Sequence, residues 1–282
     1  MKSILTLVLV VRTSALFAQV NFPDPSPLQT IRQNFGMSAI EVTYSRPSAK
    51  GRQIIGNLEP HGRVWRTGAN APTKIRFYSR VEVAGNAIDT GTYVLYTIPT
   101  ENEWTIILNR GTKNWGSDGY RAEDDVCRFT VSPERKRPMV ETMAIQFENV
   151  TGTSCELTLS WEDWKISIPI VAPLMNPLRQ QIEANLKTAQ PQYWLAAQFY
   201  FEYEKDNAKA LNMIESAISA NEAAGRNPYW QYFYKARILR AMGKNKEAIE
   251  MAQLTARYAA AQGNRSNYVK QAEDLIQSIQ KK

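Results

Sequence analysis

A chain of 282 residues, 44% hydrophobic and 22% charged, is long enough for one or two domains with full cores and needs no metal or disulfide scaffold. It contains no apolar run of the ~18–20 residues that a membrane span requires. The formal net charge of +7 is uneven: residues 19–172 carry 17 basic and 17 acidic side chains, residues 173–282 carry 15 and 10. A surplus scattered along helices, in a chain with export features, argues against nucleic acid as a partner.

Lys2, the apolar run Ile4–Val11 and the stretch Ser14, Ala15, Leu16, Phe17, Ala18 have the layout of a secretory signal peptide, residues 1–18, cut after Ala18. Arg12 interrupts the apolar run, and Leu16 is larger than the residue preferred three places before a cut. No cysteine lies near the cut, so a lipid anchor is not expected. Residues 19–34, with Pro23, Pro25 and Pro27, read as an extended lead-in.

From residue 35 to 172 the pattern is that of a mainly β domain, an antiparallel sandwich or barrel. Ile40, Val42 and Tyr44 alternate on one face. After an irregular stretch, Ser45 to Thr73, strands are predicted at Lys74–Ser79, Val81–Ala84, Thr92–Ile98, Trp104–Asn109, Cys127–Val131 and Thr142–Glu148. Two more, Cys155–Trp161 and Trp164–Ile170, flank Glu162-Asp163, a good tight-turn pair. Residues 173–282 read as an all-α domain. Helices are predicted at Leu178–Ala189, Tyr193–Glu204, Asn207–Ala224, Tyr229–Met242, Lys246–Gln262 and Ser266–Gln280. Within it Asn207–Leu211 matches Asn245–Ile249, and Ala236, Leu239, Gly243, Ala248 and Ala252 follow a small-residue pattern similar to tetratricopeptide repeats. That resemblance implies a protein partner on the helical tail. A plain helical bundle propping the β domain fits the residues equally well.

Two constellations are chemically suggestive. Arg46, Lys50, Arg52, Arg63 and Arg66 crowd one irregular region with Trp65, Asn70 and several glycines, opposed only by Glu59. Guanidinium forks suit carboxylate or phosphate, and Trp65 suits stacking on a sugar or ring. The bland alternative is a loop folded inward by arginine–carboxylate pairs around a tryptophan plug. The second constellation is Asn109, Trp115, Gly116, Tyr120, Asp124, Asp125 and Arg128. Its aspartates suit metal ligation (though without a standard calcium spacing), acid–base work, or a salt bridge from Asp125 to Arg66 or Arg128. Cys127 and Cys155, both on predicted strands, either pair as a disulfide or stay as separate buried thiols. With His61 as the single histidine, a catalytic triad or a histidine-rich metal site is not expected. No P-loop, dinucleotide fingerprint or C-x-x-C is present, so neither a cofactor nor a metal is predicted.

The runs Ser45–Arg52 (SRPSAKGR), Val64–Asn70 (VWRTGAN), Gly91–Pro99 (GTYVLYTIP) and Glu103–Asn109 (EWTIILN), with the stretch Asn114–Gly116, Tyr120 and Asp124-Asp125, resemble an exported bacterial family. It is the one known as domain of unknown function 2911. The resemblance covers about Phe35 to Val171. It implies a β-rich fold and a periplasmic or secreted protein of a Gram-negative bacterium, and it implies no activity. The family has tyrosine where this chain has His61, which argues against that histidine being essential.

The expectation is therefore a non-catalytic binding module. Its β-domain loops (Arg46, Lys50, Arg52, Trp65, Arg66, Asn70, Trp115, Asp125) would hold a polar or anionic small molecule or glycan, and its helical tail a protein partner. Alternatives are a glycan hydrolase using Asp124, Asp125 or Glu59, and a structural or assembly protein of the cell envelope.

Overall fold

The computed structural model describes residues 22–263 and 267–281, so the expected signal peptide lies outside the described residues. The chain divides into two compact units, one ending at Ile170 and the other starting at Val171.

The first unit is built from two antiparallel sheets. β1 (Leu28–Phe35), β2 (Ser38–Ser45), β3 (Ala69–Phe77), β4 (Val81–Val83), β5 (Asn86–Ile88), β6 (Gly91–Ile98), β7 (Trp104–Asn109), β8 (Asp125–Val131), β9 (Glu134–Glu148) and β10 (Ser154–Val171) follow in chain order. Six strands form one sheet in the order β1-β2-β3-β6-β7-β8, and four form the other as β5-β4-β10-β9. β6 and β7 are apolar at nearly every position because both of their faces are covered. Val94, Tyr96 and Ile107 pack under Val64 and Tyr120, which belong to two loops. From the opposite face Trp104 meets Trp164 of β10, with ring centres 6.1 Å apart.

Trp65 is the plug between the sheets. It is 1% exposed, stacks on Trp161 at 5.8 Å, meets Trp104 edge-on at 6.2 Å and donates its indole N–H to the Gly68 carbonyl. Each such ring buries roughly 150–250 Å². Leaving β2, the chain crosses to β9: Met143 N–H donates to the Pro47 carbonyl and Ala49 N–H to the Glu141 carbonyl. Farther along the same outer edge of β9, side chains take over. The Tyr44 hydroxyl accepts Ile145 N–H at 2.8 Å and donates to Gln29, while Arg46 Nε donates to the Met143 carbonyl.

Three of the differences from the sequence expectation shape the two sheets most. Leu28–Phe35 is a strand rather than a lead-in; as a polar edge strand it shows no apolar alternation, and pairing along β2 holds it. β9 starts at Glu134 rather than at the predicted Thr142, through a charged, proline-bearing stretch. Glu162-Asp163 is not a turn. β10 runs unbroken through it, because the three-residue spacing of Trp161 and Trp164 is absorbed by a bulge with Glu162 at φ 53°. The bulge keeps both rings buried.

Cys127 lies on β8 and Cys155 on β10, in different sheets, and both are free buried thiols. Of the two readings left open by the sequence, separate buried thiols is the one found here. Both thiols are pushed up to about 11, chiefly by burial.

The second unit is all helical: α1 (Met175–Leu186), α2 (Tyr193–Gln198), α3 (Asn207–Ala223), α4 (Tyr229–Ala241), α5 (Asn245–Ala261) and α6 (Tyr268–Gln280). α2 runs on as one π-helical stretch, Phe199–Glu204. Asp206 starts α3 by accepting Lys209 N–H, and Gly243 stops α4 at φ 75° while Lys244 N–H closes back on the Leu239 carbonyl. Each helix packs on the next through fully buried alanines, Ala196, Ala210, Ala236, Ala248, Ala252 and Ala272 among them. Among the described residues no helix is long and apolar enough to cross a membrane.

Candidate functional site

The bulge at Glu162 and the crossing from β2 to β9 together create a cavity. Past the crossing, Lys50 N–H donates to the Glu141 carboxylate at 2.7 Å. Arg52 folds back on its own turn, giving Nε to the Ala49 carbonyl and Nη2 to the Ser48 carbonyl. The next segment is anchored from across the cavity. Glu162, 6% exposed, accepts the backbone N–H groups of Ile54 and Ile55 with its two oxygens, at 2.9 and 3.0 Å. The positive φ at Glu162 turns this carboxylate inward, and such strain is sustained where the surroundings fix it.

A cavity of about 600 Å³ is left between the loop carrying Ala49 to His61 and the bulged part of β9 and β10. Trp164 forms an inner wall; it is 4% exposed, packed on Trp104 and covered by the Arg135 guanidinium, 3.3 Å from its ring centre. Arg135 also bonds Asp163 at 2.8 Å. His61 approaches the same ring edge-on at 6.5 Å. Met139, well exposed, and Glu101 lie at the mouth. A volume in the range of ligand clefts, with convergent polar groups over an aromatic wall, suits a small molecule.

The residues singled out from the sequence do not share one face. Arg52 lines this cavity, and Lys50 borders it through its backbone. Arg46 belongs to the β2–β9 seam. Trp65 is core, so the expectation that it stacks on a ligand is corrected: no ring face is left for one. Arg66 donates its backbone N–H to Ser117 Oγ, and its buried Nε has no hydrogen-bond partner. Nearby Glu59 is pushed up by burial, against the pull of Arg66. Asn70 ties down the segment before β1 through Asp24 and Ser26. Trp115 stands 72% exposed on the loop before β8.

Asp125 forms a closed network of its own. Asn109 Nδ2 and the Tyr120 hydroxyl each donate to it at 2.8 Å, and Arg128 at 3.2 Å, so the expected pairing with Arg128 is made. Burial and this bond to Asp125 push the Tyr120 hydroxyl up. The residues missed from the sequence are Glu162, Asp163, Trp164, Glu141 and Arg135. The three-residue tryptophan spacing in Trp161–Trp164 was the available signal, since alternation of two would have put the rings on opposite faces.

Searches of the curated proteins and of the solved structures returned no match. The profile of one family, described as "Protein of unknown function (DUF2911)", matches residues 26–170, just over half of the chain and nearly the whole two-sheet unit. The chain belongs to the DUF2911 family.

Proposed function

We propose that this is a non-catalytic binding module of an exported protein, which holds a small polar molecule or a short glycan in the cavity between Arg52, Glu162 and Trp164. The observation that carries the reading is the cavity itself: about 600 Å³, with carboxylates and guanidiniums converging on a buried aromatic wall. Catalysis is disfavoured because three of the four carboxylates lining the cavity are engaged. Glu162 accepts two N–H groups, Asp163 holds Arg135, and Glu141 holds Lys50 N–H. An acid or base must be free to exchange a proton with a substrate. For the helical unit we propose a protein partner; a shallow groove lined by Phe201, Arg237, Arg240 and Leu275 supports that assignment.

A thermal-shift screen of residues 19–282 against glycans, nucleotides, organic acids and amines tests the cavity. A ligand at one hundred times its Kd adds about 2.7 kcal/mol to the folded state. The shift is expected to shrink to roughly half in Asp163→Asn and to survive unchanged in Trp115→Ala. A shift that Asp163→Asn leaves intact would place the ligand elsewhere. N-terminal sequencing of the protein recovered from a periplasmic fraction tests export, with Gln19 as the expected first residue.

A further inference from the structure

This inference rests on the cavity being the binding site and concerns the charge of what it binds. Four carboxylates line the cavity, those of Glu101, Glu141, Glu162 and Asp163, against the guanidiniums of Arg52 and Arg135. Both guanidiniums are committed, Arg52 to two backbone carbonyls and Arg135 to Asp163. Glu162 is buried, yet its hydrogen bonds come from neutral backbone groups. Among the described residues no cation lies within ion-pair distance of Glu162, Glu141 or Glu101. A buried carboxylate without a countercharge is costly, and a cation arriving beside it relieves that cost.

The second observation is what the chain has placed there. A tryptophan face with a carboxylate at its rim is a recognition element for cations. Here Trp164 and Asp163 already hold one, the Arg135 guanidinium. Arg135 holds this place from the solvent side: its side chain is half-exposed, and between its pairing with Trp164 and that of Val140 with Glu162 the β9–β10 register is broken. The cavity opens next to this stack, and Met139 at the mouth is apolar and exposed. Among the described residues no group of three or more His, Cys, Asp or Glu is arranged to hold a metal ion. The chemistry of the wall therefore fits an organic cation.

We propose that the cavity takes a small molecule or peptide side chain bearing a guanidinium or primary ammonium, which displaces Arg135 from Trp164 and Asp163 and lays its charge toward Glu162 and Glu141. Arg135 is then a built-in competitor that sets the affinity.

Calorimetric titration of residues 19–282 with agmatine, acetyl-arginine amide, maltotriose and citrate tests this. Both cations are expected to bind, more weakly as salt is raised, and the tighter of the two tells a free amine from a peptide side chain. Arg135→Ala is expected to tighten them roughly tenfold, because the competitor is gone, and Asp163→Asn to weaken them roughly tenfold. Glu141→Gln, which keeps an acceptor for Lys50 N–H, is expected to weaken them as well, and it reports independently should Asp163→Asn not fold. If maltotriose or citrate binds in preference and Asp163→Asn abolishes that binding, the cavity stands and the cationic class falls. If agmatine binds no better to Arg135→Ala than to the wild type, displacement is wrong. Silence with all four probes in both proteins overturns this inference and the binding module together.

Discussion

Replacing Glu162 by alanine removes the acceptor of two buried backbone N–H groups, those of Ile54 and Ile55, at 2.9 and 3.0 Å. A hydrogen bond to a charged group contributes about 1.5–3 kcal/mol, so the pair amounts to roughly 3–6 kcal/mol, a large fraction of the 5–15 kcal/mol typical of a domain. Backbone strain modifies that figure in a readable way. Glu162 has φ 53°, which costs an L-residue about 1–2 kcal/mol and glycine almost nothing. Glu162→Gly therefore loses the same two bonds but regains about 1 kcal/mol, and is expected to be more stable than Glu162→Ala. Glu162→Gln retains one acceptor oxygen and turns a donor toward the other N–H; it is expected to be the mildest of the three, at about 2 kcal/mol. Urea unfolding separates them. Five of the seven tryptophans lie in the two-sheet unit, so indole fluorescence follows that unit, while far-ultraviolet circular dichroism follows the helices. A Glu162→Ala protein within about 1 kcal/mol of wild type would refute the anchoring role, and a glycine variant less stable than the alanine one would refute the strain.

Three further outcomes follow from contacts elsewhere in this unit. Trp65→Ala leaves a hole between Trp104 and Trp161 and is expected to cost about 3–5 kcal/mol in urea unfolding, without changing the charge preference of the cavity. A Cβ on Gly56 would stand 2.7 Å from His61 Nε2 at φ 90°, so Gly56→Ala should destabilise by roughly 1–2 kcal/mol, and less in a His61→Ala background; a double-mutant cycle measures that coupling. The two thiols make stability fall at alkaline pH. An unfolded thiol ionises near about 8.5, whereas Cys127 and Cys155 are held up to about 11, so the unfolded chain loses protons first and stability, full below about 8.5, declines from there toward about 11. A protein with both cysteines changed to alanine should show a shallower decline, and the native thiols should react slowly with a disulfide reagent at neutral pH.

Central strands announce themselves because burial on both faces demands a continuous apolar run. β7, Trp104–Asn109, is found with the bounds read from the sequence, and the helices lie within a few residues of theirs because Pro228 and Gly243 mark their limits. Edge strands hide for the converse reason: β1 and the start of β9 have a polar side and are held by backbone pairing that side-chain patterns do not encode. The cavity was illegible because it depends on a bulge. Two polar residues between tryptophans, Glu162 and Asp163, have turn chemistry in isolation, and only the ladder on both sides makes them one strand. Arg46, Arg66 and Asn70 were legible as a cluster in the sequence, yet strand crossing and local turns sent each to a different neighbour.

The outer edge of β9 bears on how this protein behaves in a crowd. A strand with one unpaired side offers its backbone groups to any other extended chain, and native sheets blunt such sides. Beyond the β2 crossing the blunting is done by two side chains: a phenol occupies the amide of Ile145 and a guanidinium the carbonyl of Met143. Tyr44→Phe would leave Ile145 N–H buried under the ring without a partner, so that the seam, held by Arg46 and the β2 crossing alone, opens more readily and offers the strand to a second copy. The fold then still forms, but its solubility becomes concentration-dependent, and the damage shows as self-association long before it shows as unfolding.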